Sequence, residues 1–341
     1  MKAKVGKSAN ILLRLVIMGL SFWFLYDQLA HKNILSDIMH QFKMTSIDNG
    51  HRNLMWLVML LLPLNLSLEA FKWKTLIDKL EKVSFNRAFT AVLSGISVSM
   101  IMPNRVGDYL GRVFILEKES HIKGILVTII GSLSQLLTTF IVGSIALVFS
   151  LNLFFDFDFS IHAGFSFGLM LLIFSLLTVA LLLYFNVGLL KFLMAGIFPR
   201  RKEKLLRYAD VFSLYTRLEL LKVLLLSMLR YLVFSMQFYL LLLITGCEIA
   251  YPEALMLISL NYLIMAIIPT IAITELGVRG SVAIYVFGLY FANTVFWINS
   301  GATAVFAASS VLWIINLVVP AILGIIFVYR LRFFRKEDLD G

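Results

Sequence analysis

The chain has 341 residues, of which 60% are hydrophobic and 15% are charged, and its mean hydropathy is +0.91. A soluble domain is about 45–50% apolar and about 25% charged, so this composition excludes a water-soluble globular protein. The net charge of +10 is compatible with nucleic-acid binding. The Lys and Arg residues flank apolar runs, however, as cytoplasmic loops do in membrane proteins. We therefore expect no nucleic-acid partner.

The sequence offers little for metal or cofactor chemistry. Its single cysteine, Cys247, excludes a disulfide framework and a cysteine-based metal cluster. The five His residues are dispersed without metal-binding spacing, and no nucleophile elbow, phosphate loop or dinucleotide motif is present. We predict no catalytic residues, no metal and no cofactor.

Apolar runs predict six spans, because about 20 apolar residues cross about 30 Å of hydrocarbon. In chain order they are about Ile11–Leu29, Leu54–Glu69, Gly124–Phe149, Phe165–Leu190, Val223–Thr245 and Thr303–Tyr329. The first run follows basic residues but precedes no cleavage site. We interpret it as a retained signal anchor.

Two further apolar stretches, Phe85–Ile115 and Pro252–Phe291, are interrupted by Pro, Gly and charge. Basic loops and the acidic loop Leu151–Ile161 place the first stretch inside at both ends and the second outside at both ends. The apolar segments on either side of each Pro are mostly short for full spans. This favours re-entrant hairpins at about 85–118 and 252–291 over two crossings each, which would give eight or more spans.

The second half of the chain then repeats the first upside down. The predicted fold is an all-α polytopic membrane protein with pseudo-repeats at about 8–150 and 162–330, within one membrane domain over 1–341. Inverted repeats with broken helices are a recurring transporter plan. We expect a bacterial-type inner membrane location with both termini in the cytoplasm.

Both interrupted stretches share a motif: a Pro, an acid five or six residues later, and an Arg four residues after the acid. The motif residues are Pro103, Arg105, Gly107, Asp108 and Arg112, and then Pro269, Glu275, Gly277 and Arg279. Pro stops the incoming helix, and Gly permits close packing or unusual backbone angles. An acid and an Arg at positions i and i+4 lie on one helix face and can pair.

Charges at membrane depth are costly and usually face a cavity or a partner. A guanidinium fork suits phosphate and carboxylate groups, and a helix N-terminus also favours an anion. The motifs therefore suit a lipid phosphate headgroup. The alternative is that each acid and Arg only neutralise one another. Arg230, about two turns inside its span, either lines the same cavity or bends back to the interface.

Other polar residues have simpler interpretations. Amides inside apolar runs predict interhelical hydrogen bonds; they are Asn65, Gln135, Gln237, Asn261 and Asn316. The group Glu69, Lys72, Trp73 and Lys74 at the end of the second run is typical of an interfacial anchor.

The stretch Pro103–Arg112 resembles the first signature of the lysylphosphatidylglycerol synthase transmembrane family, also called the flippase-like domain. The stretch Pro269–Arg279 resembles the second signature, but it lacks a second Pro and a Gly-Gly pair before Glu275. The resemblance implies a polytopic inner-membrane protein that handles lipids. The chain is similar to the flippase part of the multiple peptide resistance factor. In that protein, a soluble aminoacyl transferase is joined to the membrane domain. Because the chain ends at Gly341, we expect it to lack that transferase.

We expect a transporter that moves or binds an anionic or zwitterionic phospholipid, and not an enzyme. Arg105, Arg112, Arg230 and Arg279 would contact the headgroup, while Asp108 and Glu275 would orient them or bind a coupling proton. The alternatives are a membrane transferase acting on a lipid-linked substrate and a lipid-binding scaffold that transports nothing.

Overall fold

The computed structural model describes residues 49–328, except for 101, 103–105, 118–120, 156–162, 190–205, 207 and 269–271. The first predicted span, and the motif residues Pro103, Arg105 and Pro269, lie outside the described residues. The described part of the chain is helical and contains no strand.

The helices are α1 (Asn49–Ile77), α2 (Phe85–Ser99), α3 (Val106–Val113), α4 (His121–Phe155), α5 (Ala163–Phe185), α6 (Arg217–Ile244), α7 (Tyr251–Ile267), α8 (Ala272–Phe291), α9 (Ala302–Trp313) and α10 (Val319–Val328). Two π-helical turns, Trp297–Gly301 and Ile314–Val318, adjoin α9, so one continuous helix runs from Trp297 to Val328. Short 3-10 turns lie at Val187–Leu189 and Asp210–Leu214.

Within the described ranges, four helical stretches are long and apolar enough to cross a membrane; they are Gly50–Ile77, His121–Leu151, Phe167–Phe185 and Trp297–Val328. Helix α6 has 28 residues, about 42 Å at 1.5 Å per residue. The helix α5 exposes apolar side chains on nearly all sides, including Phe167 and Phe174. Only a hydrocarbon solvent favours so much exposed apolar surface. The predicted all-α polytopic membrane fold is confirmed.

Helix α6 has well-defined ends. Thr216 and Glu219 form a capping box at its start, in which each side chain accepts a hydrogen bond from the other residue's backbone N–H. At its end Gly246 adopts a φ of +85°, and the Cys247 N–H donates to the Leu242 carbonyl at 2.9 Å. These caps place Arg230 near the middle of an unbroken helix.

The helices α2 and α3 form a helical hairpin, called here the first hairpin. They contain 15 and 8 residues, about 22 and 12 Å, and both are shorter than the roughly 30 Å hydrocarbon layer. Glycines bring the two limbs together: a Cβ atom at Gly111 would lie 2.6 Å from the Gly95 Cα, and one at Gly107 would lie 2.6 Å from the Val98 carbonyl carbon.

The second hairpin, α7 and α8, has longer limbs of 17 and 20 residues, about 26 and 30 Å. Gly277 lies inside α8, where a Cβ atom would meet nothing within 4 Å. That the two hairpins are re-entrant, and that the halves form an inverted repeat, stay predictions.

Contacts between the two halves are reciprocal. At the centre α1 packs along α6. The first limb of each hairpin packs on the last helix of the opposite half, α2 on α10 and α7 on α4. At each of these two helix crossings a glycine allows the close approach. A Cβ atom at Gly324 on α10 would collide with the Leu93 carbonyl on α2, and one at Gly143 on α4 would lie 2.7 Å from the Leu263 Cβ on α7.

The substitution Gly111→Ala tests the packing of the first hairpin. The added methyl must push α3 away from α2, and overpacking of this kind costs about 1–3 kcal/mol. We expect a lower midpoint of thermal unfolding for detergent-solubilised protein. The control Gly277→Ala adds a methyl to a helix glycine with open surroundings, so its midpoint should be unchanged or slightly higher. Equal melting of both variants would show that the limbs do not depend on this close approach.

Candidate functional site

Glu69 on α1 is the centre of a buried ionic network. Its Oε1 atom lies 2.6 Å from Arg112 Nη1, and its Oε2 atom lies 2.7 Å from Lys72 Nζ and 2.9 Å from Arg230 Nη1. The Glu69 side chain is only 7% exposed. A single carboxylate therefore joins cations from α1, α3 and α6.

The first hairpin delivers Arg112 to this carboxylate. Asp108, one turn earlier on α3, accepts hydrogen bonds from Arg112 Nε at 2.8 Å and from Nη2 at 2.6 Å. This bidentate pair fixes the plane of the guanidinium. A Cβ atom at Gly95 would collide with Asp108 and with the Arg112 side chain. The glycine that lets α2 approach α3 thus also makes room for the ion pair.

Arg230 is held by amides from two other helices, and one of these amides is held in turn by a third. Its Nε donates to Asn65 Oδ1 at 2.8 Å and its Nη1 donates to Gln135 Oε1 at 3.3 Å. Asn65 Nδ2 in turn donates to Asn316 Oδ1 at 2.7 Å. These bonds connect α1, α4, α6 and the second π turn around one guanidinium.

The π turn that carries Asn316 has a local cause. Pro320 has no N–H to donate to the Asn316 carbonyl four residues earlier. The Val319 N–H instead bonds to the Ile314 carbonyl across five residues. Asn316 Nδ2 also donates to the Leu312 carbonyl at 3.2 Å. Such π turns are frequent at functional sites, and this one brings the Asn316 amide to Asn65.

We call Glu69, Lys72, Asp108, Arg112 and Arg230 the charge cluster. It contains three cations and two carboxylates, so one positive charge remains uncompensated among these residues. Desolvating a charge costs several kcal/mol unless a partner compensates it. An uncompensated cation beside a cavity therefore favours an anionic ligand.

Two cavities adjoin the charge cluster. The first, about 310 Å³, is lined by all five members of the cluster. The second, about 300 Å³, is lined by Arg279 and by aromatic side chains that include Tyr262 and Trp313. Five residues line both cavities, and we call them the partition; they are Gln135, Thr139, Arg230, Asn316 and Leu317.

Arg279, which lines the second cavity, forms the other predicted ion pair, in which its Nη2 donates to Glu275 Oε1 at 2.9 Å. Among the described residues, neither Arg279 Nε nor Trp313 Nε1 has a hydrogen-bond partner, although both atoms are buried. Buried donors are normally satisfied, so this cavity has capacity for an acceptor that the described chain does not supply.

The structure brings together Asp108, Arg112 and Arg230, and it pairs Glu275 with Arg279, which lines the second cavity. Arg105 lies outside the described residues.

The predicted interhelical hydrogen bonds of the apolar runs form for most of the amides. Asn65, Gln135 and Asn316 are linked around Arg230, and Gln237 Nε2 donates to the Val58 carbonyl at 3.0 Å. Asn261 differs: its amide is buried and makes no hydrogen bond within the described part of the chain.

The interfacial-anchor interpretation is wrong for Glu69, Lys72 and Trp73, all of which are buried. Trp73 Nε1 donates to Thr128 Oγ1 at 3.1 Å inside the bundle. Of the four residues, Lys74 alone is partly exposed, and it pairs with Asp78.

The sequence does contain a pattern that indicates this site. Asn65, Glu69 and Lys72 are spaced by four and three residues, so their polar side chains share one face of an apolar helix.

The substitution Glu69→Gln tests the central role of this carboxylate. It leaves three clustered cations facing one carboxylate, and removing one partner of a buried ion pair costs about 3–5 kcal/mol. We expect a large fall in the thermal unfolding midpoint or in the yield of monodisperse protein.

The control for that test is Glu117→Gln, because Glu117 is 48% exposed and lies 3.5 Å from Arg87. A surface pair of this kind contributes about 0–1 kcal/mol. If Glu69→Gln were no more destabilising than Glu117→Gln, the charge cluster would not be an electrostatically linked unit.

A family model described as Lysylphosphatidylglycerol synthase TM region matches residues 11–324. No curated protein matches the chain significantly. The matched residues include both hairpins, the charge cluster and nearly all of the last long helix. The chain therefore belongs to the lysylphosphatidylglycerol synthase TM region family, and it is a multi-pass membrane protein related to membrane lipids.

Proposed function

We propose that this protein binds the phosphate headgroup of an anionic or zwitterionic phospholipid at the charge cluster and moves the lipid between the two leaflets. The proposal rests on one observation: a cluster with an excess positive charge lines a cavity inside an apolar helical bundle. A phosphodiester carries one negative charge, which would balance the excess positive charge of the cluster.

Arg230 is the best-placed ligand for that phosphate. Its side chain is 27% exposed, whereas those of Arg112 and Lys72 are 7% and 3% exposed. It lines both cavities, and its Nε and Nη1 atoms are held by Asn65, Gln135 and Glu69. A guanidinium fixed in this way is preorganised, which lowers the entropic cost of binding.

The two cavities support movement rather than static binding. They share the partition, so a headgroup would pass from one cavity to the other by displacing a few amide hydrogen bonds. The reciprocal contacts of α2 with α10 and of α7 with α4 support the proposal of an inverted repeat. Such repeats exchange inward and outward openings by rocking around a fixed site.

The same considerations extend to location and chemistry. We propose an inner-membrane location with both termini in the cytoplasm, as the distribution of Lys and Arg favours. We also propose that the lipid crosses without covalent change, and not that the protein is a transferase.

The proposal is tested in vesicles that contain the purified protein and fluorescent phosphatidylglycerol, with leaflet exchange measured by chemical quenching of the outer leaflet. In Arg230→Gln the charge-assisted contact to phosphate is lost, which costs about 1.5–3 kcal/mol and predicts a rate roughly tenfold to a hundredfold lower. The matched control Arg217→Gln lies on the same helix, is exposed and contacts Asn186. It should keep the wild-type rate.

A fluorescent ceramide, which lacks phosphate, should show no dependence on Arg230. Mass spectra of the lipids should be unchanged after the assay, since a new lipid species would favour a transferase. Equal rates for wild type and Arg230→Gln, measured on folded protein, would mean that the cluster only holds helices together.

A further inference from the structure

Lys72 is the member of the charge cluster best able to exchange a proton. Arginine keeps its proton in proteins. The Glu69 carboxylate lies against three cations, and Asp108 accepts two hydrogen bonds from Arg112. Both carboxylates are therefore already bound by cationic side chains. Lys72 has an exchangeable proton, is 3% exposed and pairs with Glu69 Oε2 at 2.7 Å.

The surroundings of Lys72 are rich in cations. Glu69 faces it from its own helix, α3 contributes Asp108 and Arg112, and α6 contributes Arg230. The other elements that line the first cavity contribute neutral side chains, which are Val92, Ile96 and Ser99 from α2, Ser132, Gln135, Leu136 and Thr139 from α4, and Asn316 and Leu317 from the π turn. Burial and the two guanidinium groups oppose the charged form of Lys72 when the cavity holds no anion, whereas the ion pair with Glu69 favours it.

We propose that Lys72 carries a proton that binds and leaves together with the phosphate headgroup, so that the site takes up one proton for each phosphodiester it binds. This inference rests on the proposed function. The step forms one N–H bond on the Lys72 amine, the proton comes from bulk water, and no covalent bond of the lipid changes.

Charge balance is the reason for this coupling. With Lys72 protonated, the charge cluster has one excess positive charge, which a phosphodiester neutralises. With Lys72 unprotonated, the empty cluster is already neutral. Both the loaded and the empty site thus avoid net charge in a medium of low dielectric constant, where net charge is costly. Coupling of this kind is reciprocal: the anion strengthens proton binding, and the proton strengthens anion binding.

The proposed carrier differs from the two carboxylates that the sequence favours. Asp108 is held in a bidentate pair by Arg112, and Glu275 accepts from Arg279 at the second cavity. Protonating Asp108 would remove the charge assistance from both of its bonds to Arg112. Protonating the Lys72 amine breaks no hydrogen bond and restores an ion pair with Glu69.

The test measures proton uptake while soluble short-chain phosphatidylglycerol binds to the purified full-length protein. Binding is followed by calorimetry in two buffers of different ionisation enthalpy, at a pH where the empty site is unprotonated. For wild type we expect about one proton per bound lipid, and an affinity that falls about tenfold per pH unit in the alkaline direction.

Lys72→Arg keeps the charge but cannot release it, so it should bind the lipid without proton uptake and with little pH dependence. Lys74→Arg is the matched control, because Lys74 is two residues away and pairs with Asp78 outside the cavity. It should behave as wild type. If Lys72→Arg does not fold, Lys72→Met serves instead, and it should bind more weakly with no pH dependence.

The outcomes separate this inference from the proposed function. Lipid binding by wild type without proton uptake, or proton uptake that persists in Lys72→Arg or Lys72→Met, would overturn the role of Lys72 and leave lipid binding intact. Failure of wild type to bind phosphatidylglycerol at any pH would overturn both.

Discussion

The arrangement of the bundle depends on one carboxylate. Glu69 contacts Lys72, Arg112 and Arg230, and without it these cations would repel one another in a medium that screens charge poorly. It connects α1, the first hairpin and α6 at a level where apolar side chains provide no directional contact. Buried ion pairs add little net stability because desolvation offsets their attraction. What they provide here is a defined position for each guanidinium.

The close packing of the first hairpin determines the electrostatics of the site. Gly95 and Gly111 allow α2 and α3 to approach until the backbone of one limb lies against the other. The same approach encloses Asp108 and Arg112, and it turns the guanidinium toward Glu69. The second hairpin lacks this feature at Gly277, whose surroundings are open. The two motifs are alike in sequence, yet only the first belongs to the charge cluster.

The sequence predicted the membrane class, the positions of most helices, and the acid–Arg pairs within single turns, because these depend on composition and on local spacing. It did not predict the partner of each charge on another helix. Glu69 and Lys72 stand at the end of an apolar run, where an interface and a cavity wall have the same pattern. Their depth depends on the helices packed around them, which hydropathy does not encode. The sequence leaves the depth of Arg230 undecided for the same reason, because it does not show that Glu69 and Asn65 lie beside this residue.

The π turn at Ile314–Val318 contains one residue more than a regular helical turn. If that extra residue migrates by one turn, the side chains it passes rotate by about 100° around the helix axis, one residue's share of a turn. Asn316 would then swing away from Asn65 and release Arg230 from its amide support. Movement of the π turn along this one helix would thereby open a path between the first and the second cavity, while the ends of the helix stay in place.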